Sequence, residues 1–203
     1  MKTFKRLAIL GTAVLGTAAA TADDPASWNV DGAHTAVSFS VRHFFTPVSG
    51  TFDDFEVDLT FDQDDPANSH VSVQIRTASV NTRNQRRDDH LRSEDFFETS
   101  THPSITFTSN SVRQEGPDRL VATGPLTIKG ITREVELPIT ILGVRGIPDE
   151  MREMLGGITE VAGFQADLKL DRRDFGVGVG SWAATAVVGG EVDIAIAVEA
   201  NRS

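Results

Sequence analysis

Five histidines are the side chains of this 203-residue sequence best suited to chemistry near neutral pH: His34, His43, His70, His90 and His102. An imidazole can act as a general base or hold a zinc ion, and a zinc site needs several such ligands to converge. No two of these histidines have the H-x-H or H-x-x-x-H spacing that places two ligands side by side. The spacing therefore predicts no metal site.

Arg87, Asp88 and His90 bring a cation, a carboxylate and an imidazole into one short stretch. The guanidinium suits a pyrophosphate, and the other two side chains could hydrogen-bond to a carbonyl or hydroxyl group of a ligand. The alternative is structural: Arg87 and Asp88 would pair with neighbouring strands and hold a short helix over one end of the fold. The structural interpretation is favoured over contact with a ligand.

Sequence patterns of common enzymes are missing. Adjacent carboxylates such as Asp53-Asp54 are typical of solvated turns rather than of paired catalytic acids. No G-x-S-x-G elbow, Walker loop or dinucleotide fingerprint occurs in a supporting context. Arg172-Arg173 is interpreted as surface pairing rather than as a phosphate site. Enzyme activity is therefore not predicted.

The composition narrows the class of protein that must position these residues. A chain of 21.9 kDa with 39% apolar residues suits one globular domain. The absence of cysteine excludes disulfides, thiolate metal sites and a cysteine nucleophile. A pI near 4.9 argues against nonspecific adsorption to nucleic acid or to anionic lipid surfaces, and no nucleic-acid partner is expected.

Residues 1–22 have the composition of a signal peptide, with a basic start, an apolar stretch over 7–20 and small residues that end at Ala22. The apolar stretch is shorter than the ~20 residues of a spanning helix. Cleavage after Ala22 would remove three of 19 basic residues and none of 29 acidic ones, taking the net charge from −10 to −13. The sequence thus predicts a soluble, acidic, exported domain at 23–203 with no membrane-spanning helix.

From Trp28 onward apolar and polar residues alternate, as in strands with one buried and one exposed face. Turn signals separate the runs, including Gly189-Gly190, and Gly130 predicts a tight hairpin. About eight strands with mostly short links predict an all-β fold, an antiparallel barrel, because closure removes exposed edges.

Two segments break the alternation and predict one or two short helices. Thr82 to Arg92 would be capped by Thr82, with Gln85 as its capping-box partner. Pro148 to Leu155 would start at the proline and end at a pair of glycines.

The inward faces of such a barrel are almost wholly aliphatic or phenylalanine. Alternation alone does not tell a filled core from a tunnel lined for a long hydrocarbon, and both stay open at this point. An outer-membrane barrel is disfavoured, because it needs two aromatic girdles and this chain has no tyrosine and two tryptophans. The polar faces of the strands in this chain are also too charged to contact lipid.

An ordered set of motifs resembles the YceI-like proteins over residues 28 to 200. The segments that carry the resemblance are Trp28 to Thr35, the run Val37-x-Phe39-x-Val41-x-His43, Val48-Ser49-Gly50-Thr51-Phe52, Arg87-Asp88-x-His90-Leu91-Arg92-Ser93-x-Asp95-Phe96-Phe97, Gly124-x-Leu126-Thr127-Ile128-Lys129-Gly130 and Arg173-Asp174-Phe175-Gly176. Each motif is weak alone, and the ordered set is specific. The connection between Gly143 and Gly163 is longer than in the shorter members, and whether it covers the barrel mouth is open.

The resemblance implies an extended, lipocalin-like, eight-stranded barrel that is exported to the periplasm. It also implies a binding protein rather than an enzyme, holding a polyisoprenoid or isoprenoid quinone with no covalent cofactor. It is compatible with a homodimer, which no patch in the sequence supports. Two alternatives remain: an envelope lipid-modifying enzyme, and a stress-linked structural protein with a filled barrel.

The candidate site residues follow from this interpretation. The expected lumen lining is Val37, Phe39, Val41, Phe55, Val57, Val73, Ile75, Phe107, Leu126, Ile128, Leu137, Ile139, Phe164, Leu168, Ile194 and Ile196. The candidate mouth or head-group residues are Phe44, Phe45, Arg87, Asp88 and His90. Phe44 and Phe45 would either plug one end of the barrel or form an apolar lip through which a lipid enters.

Overall fold

The computed structural model describes residues 27–203, so the predicted signal peptide at 1–22 lies outside the described part of the chain. The strands are β1 (Ser27–Val30), β2 (Ala36–His43), β3 (Thr46–Phe52), β4 (Phe55–Thr60), β5 (His70–Arg76), β6 (Val80–Asn81), β7 (Ser104–Thr108), β8 (Ser111–Gly116), β9 (Arg119–Ile128), β10 (Ile131–Gly146), β11 (Glu160–Asp171) and β12 (Val188–Arg202). The helices are α1 (Gln85–Arg92) and α2 (Asp149–Arg152). Among residues 27–203, no helix combines the length and the apolar character that crossing a membrane requires.

The strands line up as eight antiparallel lanes, where a lane is one course of the barrel wall made of one or two strands. β1 and β2 form the first lane, because both pair with β12, through Asn29 opposite Asn201 and Val37 opposite Ile196. β3 with β4, β5 with β6 and β7 with β8 form the next three lanes, and β9 to β12 form one lane each. Since the last lane pairs with the first, the sheet closes. The predicted eight-stranded antiparallel barrel is confirmed.

Alternation along the lanes sorts the side chains into an apolar interior and a charged exterior. Ile194 stands between Phe39 and Leu168 on the adjacent lanes, and all three line the same interior cavity. On the outside, Lys169 lies between Glu191 and Asp193 at 3.0 and 2.7 Å. The barrel is therefore held together by hydrophobic contacts within and hydrogen-bonded lanes around them.

The β9–β10 hairpin forms at the predicted place. Ile128 pairs with Ile131, and the two residues between them, Lys129 and Gly130, have φ of 48° and 73°. Left-handed conformation at both central positions is the type I′ turn, which matches the twist of the flanking strands. The predicted tight hairpin at Gly130 is confirmed.

The predicted turn at Gly189-Gly190 is wrong, because both glycines lie inside β12 beside a register shift. The absence of side chains at these two glycines serves another purpose. A Cβ at Gly190 would lie 3.0 Å from the Arg173 guanidinium. The pair therefore makes room for a neighbouring side chain rather than for a chain reversal.

Helix α1 begins two residues later than a cap at Thr82 predicts. Its N-cap is Asn84, whose Oδ1 accepts a hydrogen bond from the Arg87 amide at 3.1 Å. Thr82 does not cap the helix, because its amide and hydroxyl both donate to the buried Asp88 carboxylate. Thr82 and Asn84 are both suitable capping residues. Asn84 caps the helix because Thr82 is hydrogen-bonded to Asp88, which lies within α1.

The second predicted helix, Pro148 to Leu155, is a single helical turn, α2, with Pro148 at its N-cap. The glycines that follow, Gly156 and Gly157, have φ of 72° and 91° and end the segment as expected. α2 lies in the β10–β11 connection, which Ile147 and Thr159 close by a backbone hydrogen bond of 2.8 Å. This connection stands at the opposite end of the barrel from α1.

Candidate functional site

The barrel interior contains apolar cavities in a row. The floor, middle and upper cavities have volumes of about 70, 80 and 130 Å³, and a mouth pocket of about 480 Å³ follows beside α1. Neighbouring cavities share walls: Val73 and Ile196 separate floor from middle, Phe39 and Ile194 separate middle from upper. Leu91 borders both the upper cavity and the mouth pocket. The barrel axis is thus lined by a row of adjacent apolar cavities that share their walls.

Fifteen of the sixteen residues expected in the lumen line these cavities. The floor cavity has Val57, Val73, Leu137, Ile139, Phe164 and Ile196; the middle cavity adds Val37, Phe39, Ile75, Phe107, Leu126, Ile128, Leu168 and Ile194; the upper cavity adds Val41. Phe55 packs against the core cluster and lines none of the four spaces described. Whether these residues contact a ligand stays a prediction.

Aromatic residues close the floor. Trp28 and Phe61 have ring centroids 6.1 Å apart, and Phe164 packs edge-on against Phe61 at 5.1 Å. The Trp28 indole donates to the Phe61 carbonyl at 3.0 Å, so its buried N–H is satisfied. The guanidinium of Arg202 lies 4.8 Å above the Trp28 ring. Because Arg202 pairs in register with Glu160, the long β10–β11 connection belongs to this closed end and does not cover the mouth.

The mouth pocket lies between α1, the β2–β3 hairpin and Trp182. Arg86, Arg87, His90 and His43 are the titratable groups along it, and no carboxylate is among its lining residues in the described chain. Arg87 donates to the Thr82 hydroxyl at 2.7 Å and to the Thr82 carbonyl at 2.8 Å. Two of the predicted mouth residues, Arg87 and His90, are thus at the mouth.

Asp88 points away from the mouth. It is 6% exposed and its carboxylate accepts hydrogen bonds from the Thr82 amide, at 2.8 Å, and from the Thr82 hydroxyl. His90 Nε2 lies 3.0 Å from Asp95 Oδ2, and its ring packs edge-on against Phe96 and Trp182 at 5.0 Å. Asp88 thus has structural contacts, but its partner is Thr82 in the loop before α1 rather than a neighbouring strand as predicted. His90 has both a partner and a face on the pocket.

Phe44 and Phe45 form the tip of the β2–β3 hairpin and are 48% and 94% exposed. Side chains with that exposure do not plug the barrel. Of the two alternatives from the sequence, the exposed lip is the one that agrees with the structure.

Sequence reasoning missed Arg172. This residue is 6% exposed at the wall of the upper cavity, and its guanidinium donates only to backbone carbonyls. The acceptors are Gly189 and Val177 at 2.8 Å, Trp182 at 2.7 Å, Val188 at 3.1 Å, and Gly178. Burial lowers the pKa of the Arg172 guanidinium from its ordinary value. Arg173, by contrast, pairs with Asp171 on the surface, as expected for both arginines.

The burial of Arg172 could have been predicted from the glycines that follow it at every second position. Gly176, Gly178 and Gly180 have φ of 67°, 61° and 64°, so the chain coils back and presents its carbonyls to Arg172. A Cβ at Gly178 would lie 2.5 Å from the guanidinium. Arg172 therefore anchors the segment 176–188 beside the mouth.

Asp31, His34 and Glu199 form a surface cluster that the histidine spacing did not indicate, because Glu199 is distant in sequence. Their ligand atoms lie within 4.8 Å of one another, with His34 Nδ1 2.9 Å from Asp31 Oδ2. The hydrogen bond between them raises the pKa of His34 and lowers the pKa of Asp31. The donor set could hold a cation, but it lies outside the lumen and contacts no cavity described above.

Comparisons with known proteins agree on one family. The model of the YceI-like domain matches residues 28–200. Protein YceI of Escherichia coli O157:H7 is 39% identical over 170 residues, which cover 83% of this chain and 82% of that protein. The crystal structure of Burkholderia cenocepacia BcnA matches with a TM-score of 0.75 and 28% identity, covering 84% of this chain and 99% of that one.

A third match is more remote. A polyisoprenoid binding domain from Saccharophagus degradans, implicated in plant cell wall breakdown, has a TM-score of 0.61 and 14% identity, covering 87% of this chain and 98% of that one. At that identity the match shows a shared fold.

Proposed function

This chain belongs to the YceI-like family, and from that premise we propose that it is a periplasmic binding protein that carries a polyisoprenoid lipid in the barrel lumen. The cargo class comprises isoprenoid quinones and polyprenyl chains. The observation that carries the proposal is the row of apolar cavities, closed by aromatic rings at the floor and open to a polar pocket at the mouth.

The shape of the row selects for a long and narrow ligand. Three small cavities in series suit a flexible hydrocarbon chain better than a compact ligand, which would need one large space. Hydrophobic burial would supply the affinity, about 25 cal/mol for each Å² of apolar surface removed from water. The polar atoms of such a lipid would lie in the mouth pocket, where Arg87 and His90 face them.

The remote structural neighbour described as a polyisoprenoid binding domain supports this cargo class, although on fold alone. The periplasmic location rests on the sequence of residues 1–22, with their basic start and the small residues at the cleavage site.

Binding is favoured over catalysis because the best candidate acid is engaged elsewhere. Asp88 is buried and accepts two hydrogen bonds from Thr82, which leaves it no access to the mouth pocket. The alternative of a lipid-modifying enzyme would require turnover that Asp88→Ala or His90→Ala abolishes while lipid binding persists. The alternative of a filled barrel is disfavoured by the cavities.

Solvent extraction of the purified full chain followed by mass spectrometry tests the proposal. We expect a polyisoprenoid to co-purify, and the emptied protein to take up an added quinone. Leu126→Asp, which buries an unpaired charge in the middle cavity, should lose the lipid or the fold. A wild-type protein that carries no lipid and takes up no quinone would refute the carrier.

A further inference from the structure

Phe44 and Phe45 lie at the end of the β2–β3 hairpin and are called the aromatic tip. Their exposure results from the backbone conformation of the hairpin rather than from the choice of side-chain rotamer. Phe44 has a φ of 50°, a strained value for a residue with a side chain. Its amide donates to the Val187 carbonyl at 2.7 Å, and its carbonyl accepts from the Arg42 guanidinium. The tip is thus held in one geometry that leaves Phe45 94% exposed.

The aromatic tip stands beside the barrel mouth. His43 and Val48, on the two strands of the hairpin, line the mouth pocket together with Arg86. A Cβ at Gly50 would lie 2.9 Å from Thr82, so β3 runs in contact with the segment that leads into α1. The tip and the arginines of that segment therefore face the same end of the molecule.

The charge at this end is opposite to that of the whole chain, which has a net charge of −10. Arg83 and Arg86 are exposed and make no side-chain hydrogen bond or ion pair within residues 27–203. Two of the acids on and just after α1 are paired, Asp89 with Arg92 at 3.2 Å and Asp95 with His90 at 3.0 Å, whereas Glu94 is exposed. The lining of the mouth pocket itself is basic, because it includes Arg86 and Arg87 and no carboxylate of the described chain.

We propose that the aromatic tip and the arginines around it dock the barrel mouth on an anionic lipid bilayer. The phenyl rings would enter the interface, and Arg83 and Arg86 would lie at the level of the phosphate groups. The acidic remainder of the protein does not prevent this, because charges farther from the surface than the Debye length of ~8 Å are screened at physiological salt. The negative net charge of the protein opposes its adsorption to the bilayer in other orientations, so that only the orientation with the mouth toward the bilayer is favourable.

The opposite end also exposes apolar residues, but around α2 the acids outnumber the cation Arg152, which is paired with Asp149 at 2.9 Å. Met154 is 73% exposed there, next to the acids Asp149, Glu150 and Glu153. An anionic surface would repel that end. It therefore provides a matched control for apolar exposure alone.

Self-association through the tip is the competing explanation and is disfavoured by area. A stable dimer buries about 800 Å² on each partner, whereas two phenylalanines offer about 150–250 Å² each. A rim of unpaired arginines would also face its own copy across a two-fold axis. An anionic bilayer meets both features at once.

Co-sedimentation of the full mature chain with vesicles tests the docking surface. We expect binding to vesicles of phosphatidylcholine and phosphatidylglycerol, weaker binding to phosphatidylcholine alone, and loss of the difference at high salt. Phe45→Ser should weaken the partition coefficient about tenfold, the size expected for one inserted phenyl group. Arg86→Glu should weaken it mainly on anionic vesicles, and Met154→Ser should leave it unchanged.

Three results would overturn the proposal: no binding of the wild type to anionic vesicles, equal binding by Phe45→Ser and the wild type, or a dimer in sedimentation equilibrium that Phe45→Ser dissociates. The docking surface does not depend on the cargo. Vesicle binding that requires Phe45 in a protein that carries no lipid would uphold docking while refuting the carrier.

Discussion

At the scale of single residues, the buried polar groups of this barrel hold loops in place. Thr82 connects Arg87 to Asp88, because its hydroxyl accepts from the first and donates to the second. Arg172 likewise holds a loop, the segment 176–188, because its guanidinium donates hydrogen bonds to backbone carbonyls in and next to that segment. Both groups stand beside the mouth, where irregular backbone needs hydrogen-bond partners that a strand would supply elsewhere.

Asp88→Ala should destabilise the protein by about 2–3 kcal/mol, because it leaves the buried Thr82 amide and hydroxyl without an acceptor. Urea unfolding followed by circular dichroism measures this. Asp89→Ala, one residue along the helix and exposed, is the control and should change stability by under about 0.5 kcal/mol. Equal effects of the two variants would contradict the role assigned to Asp88.

Arg172→Lys should cost about 3 kcal/mol despite the retained charge, because an ammonium has three donors for five carbonyls. The melting temperature of the variant measures the loss. Arg173→Lys, at an exposed ion pair, should cost less than about 1 kcal/mol. A lysine that replaces Arg172 without loss would show that its hydrogen bonds contribute little.

The Asp171–Arg173 pair predicts a dependence on acid. The hydrogen bond from Arg173 lowers the pKa of Asp171 to about 2. A carboxylate with a depressed folded-state pKa adds stability above its unfolded pKa of about 3.9. That contribution is lost as the pH falls toward 2. Unfolding curves of wild type and Asp171→Asn should therefore differ at pH 6 and converge near pH 2, and a constant difference would speak against the pair.

At the scale of elements, the sequence predicts the strands better than it predicts their interruptions. Alternation at Val37, Phe39 and Val41 is local and marks β2 unambiguously. The breaks between β1 and β2, or between β7 and β8, depend on register shifts between neighbouring lanes. A register shift involves two lanes and therefore cannot be predicted from the sequence of one segment. A type I′ turn, in contrast, is encoded by the residues within it.

The candidate site divides along the same line. Inward positions such as Leu126 and Ile194 could be assigned from alternation, since each strand fixes its own faces. The burial of Arg172 could not, because its acceptors are carbonyls whose direction is set by glycines several residues away. Contacts that join distant segments, as at Glu199 and His34, are likewise invisible in spacing.

Gly124→Ala should show how tightly one lane break is packed. A Cβ there would lie 2.0 Å from the Thr108 carbonyl oxygen, at the point where β7 gives way to β8. We expect a loss of about 3 kcal/mol in urea unfolding, since backbone must move. Gly146→Ala, with nothing within 4 Å, is the matched control and should be nearly neutral. Similar stability of both variants would mean that the break is easily rearranged.

At the scale of the whole molecule, the barrel has a closed acidic end and a basic mouth. Trp28 and Phe61 seal the first, and Arg86 and Phe45 mark the second. Under the proposed function, the depth of the cavity row would set the length of the ligand, because a chain that enters at the mouth would stop at the aromatic floor.

Val73→Phe should shorten the cargo. Val73 lines both the floor and the middle cavity, and a phenyl ring there would fill the passage between them. Mass spectrometry of co-purified lipid should show a shift toward shorter isoprenoid chains than in the wild type. Met154→Phe, on the outer surface of the closed end, should leave the distribution as it is. A folded Val73→Phe protein with unchanged lipid would place the chain end above the floor cavity.

The lane breaks make the barrel mechanically unequal. The four lanes built from β1 to β8 are each interrupted once, whereas β9 to β12 run without a gap, up to 16 residues in β10. The wall is therefore continuous over one half and jointed over the other. For the proposed cargo, we expect the jointed half to yield as a chain passes along the axis and the continuous half to keep its shape.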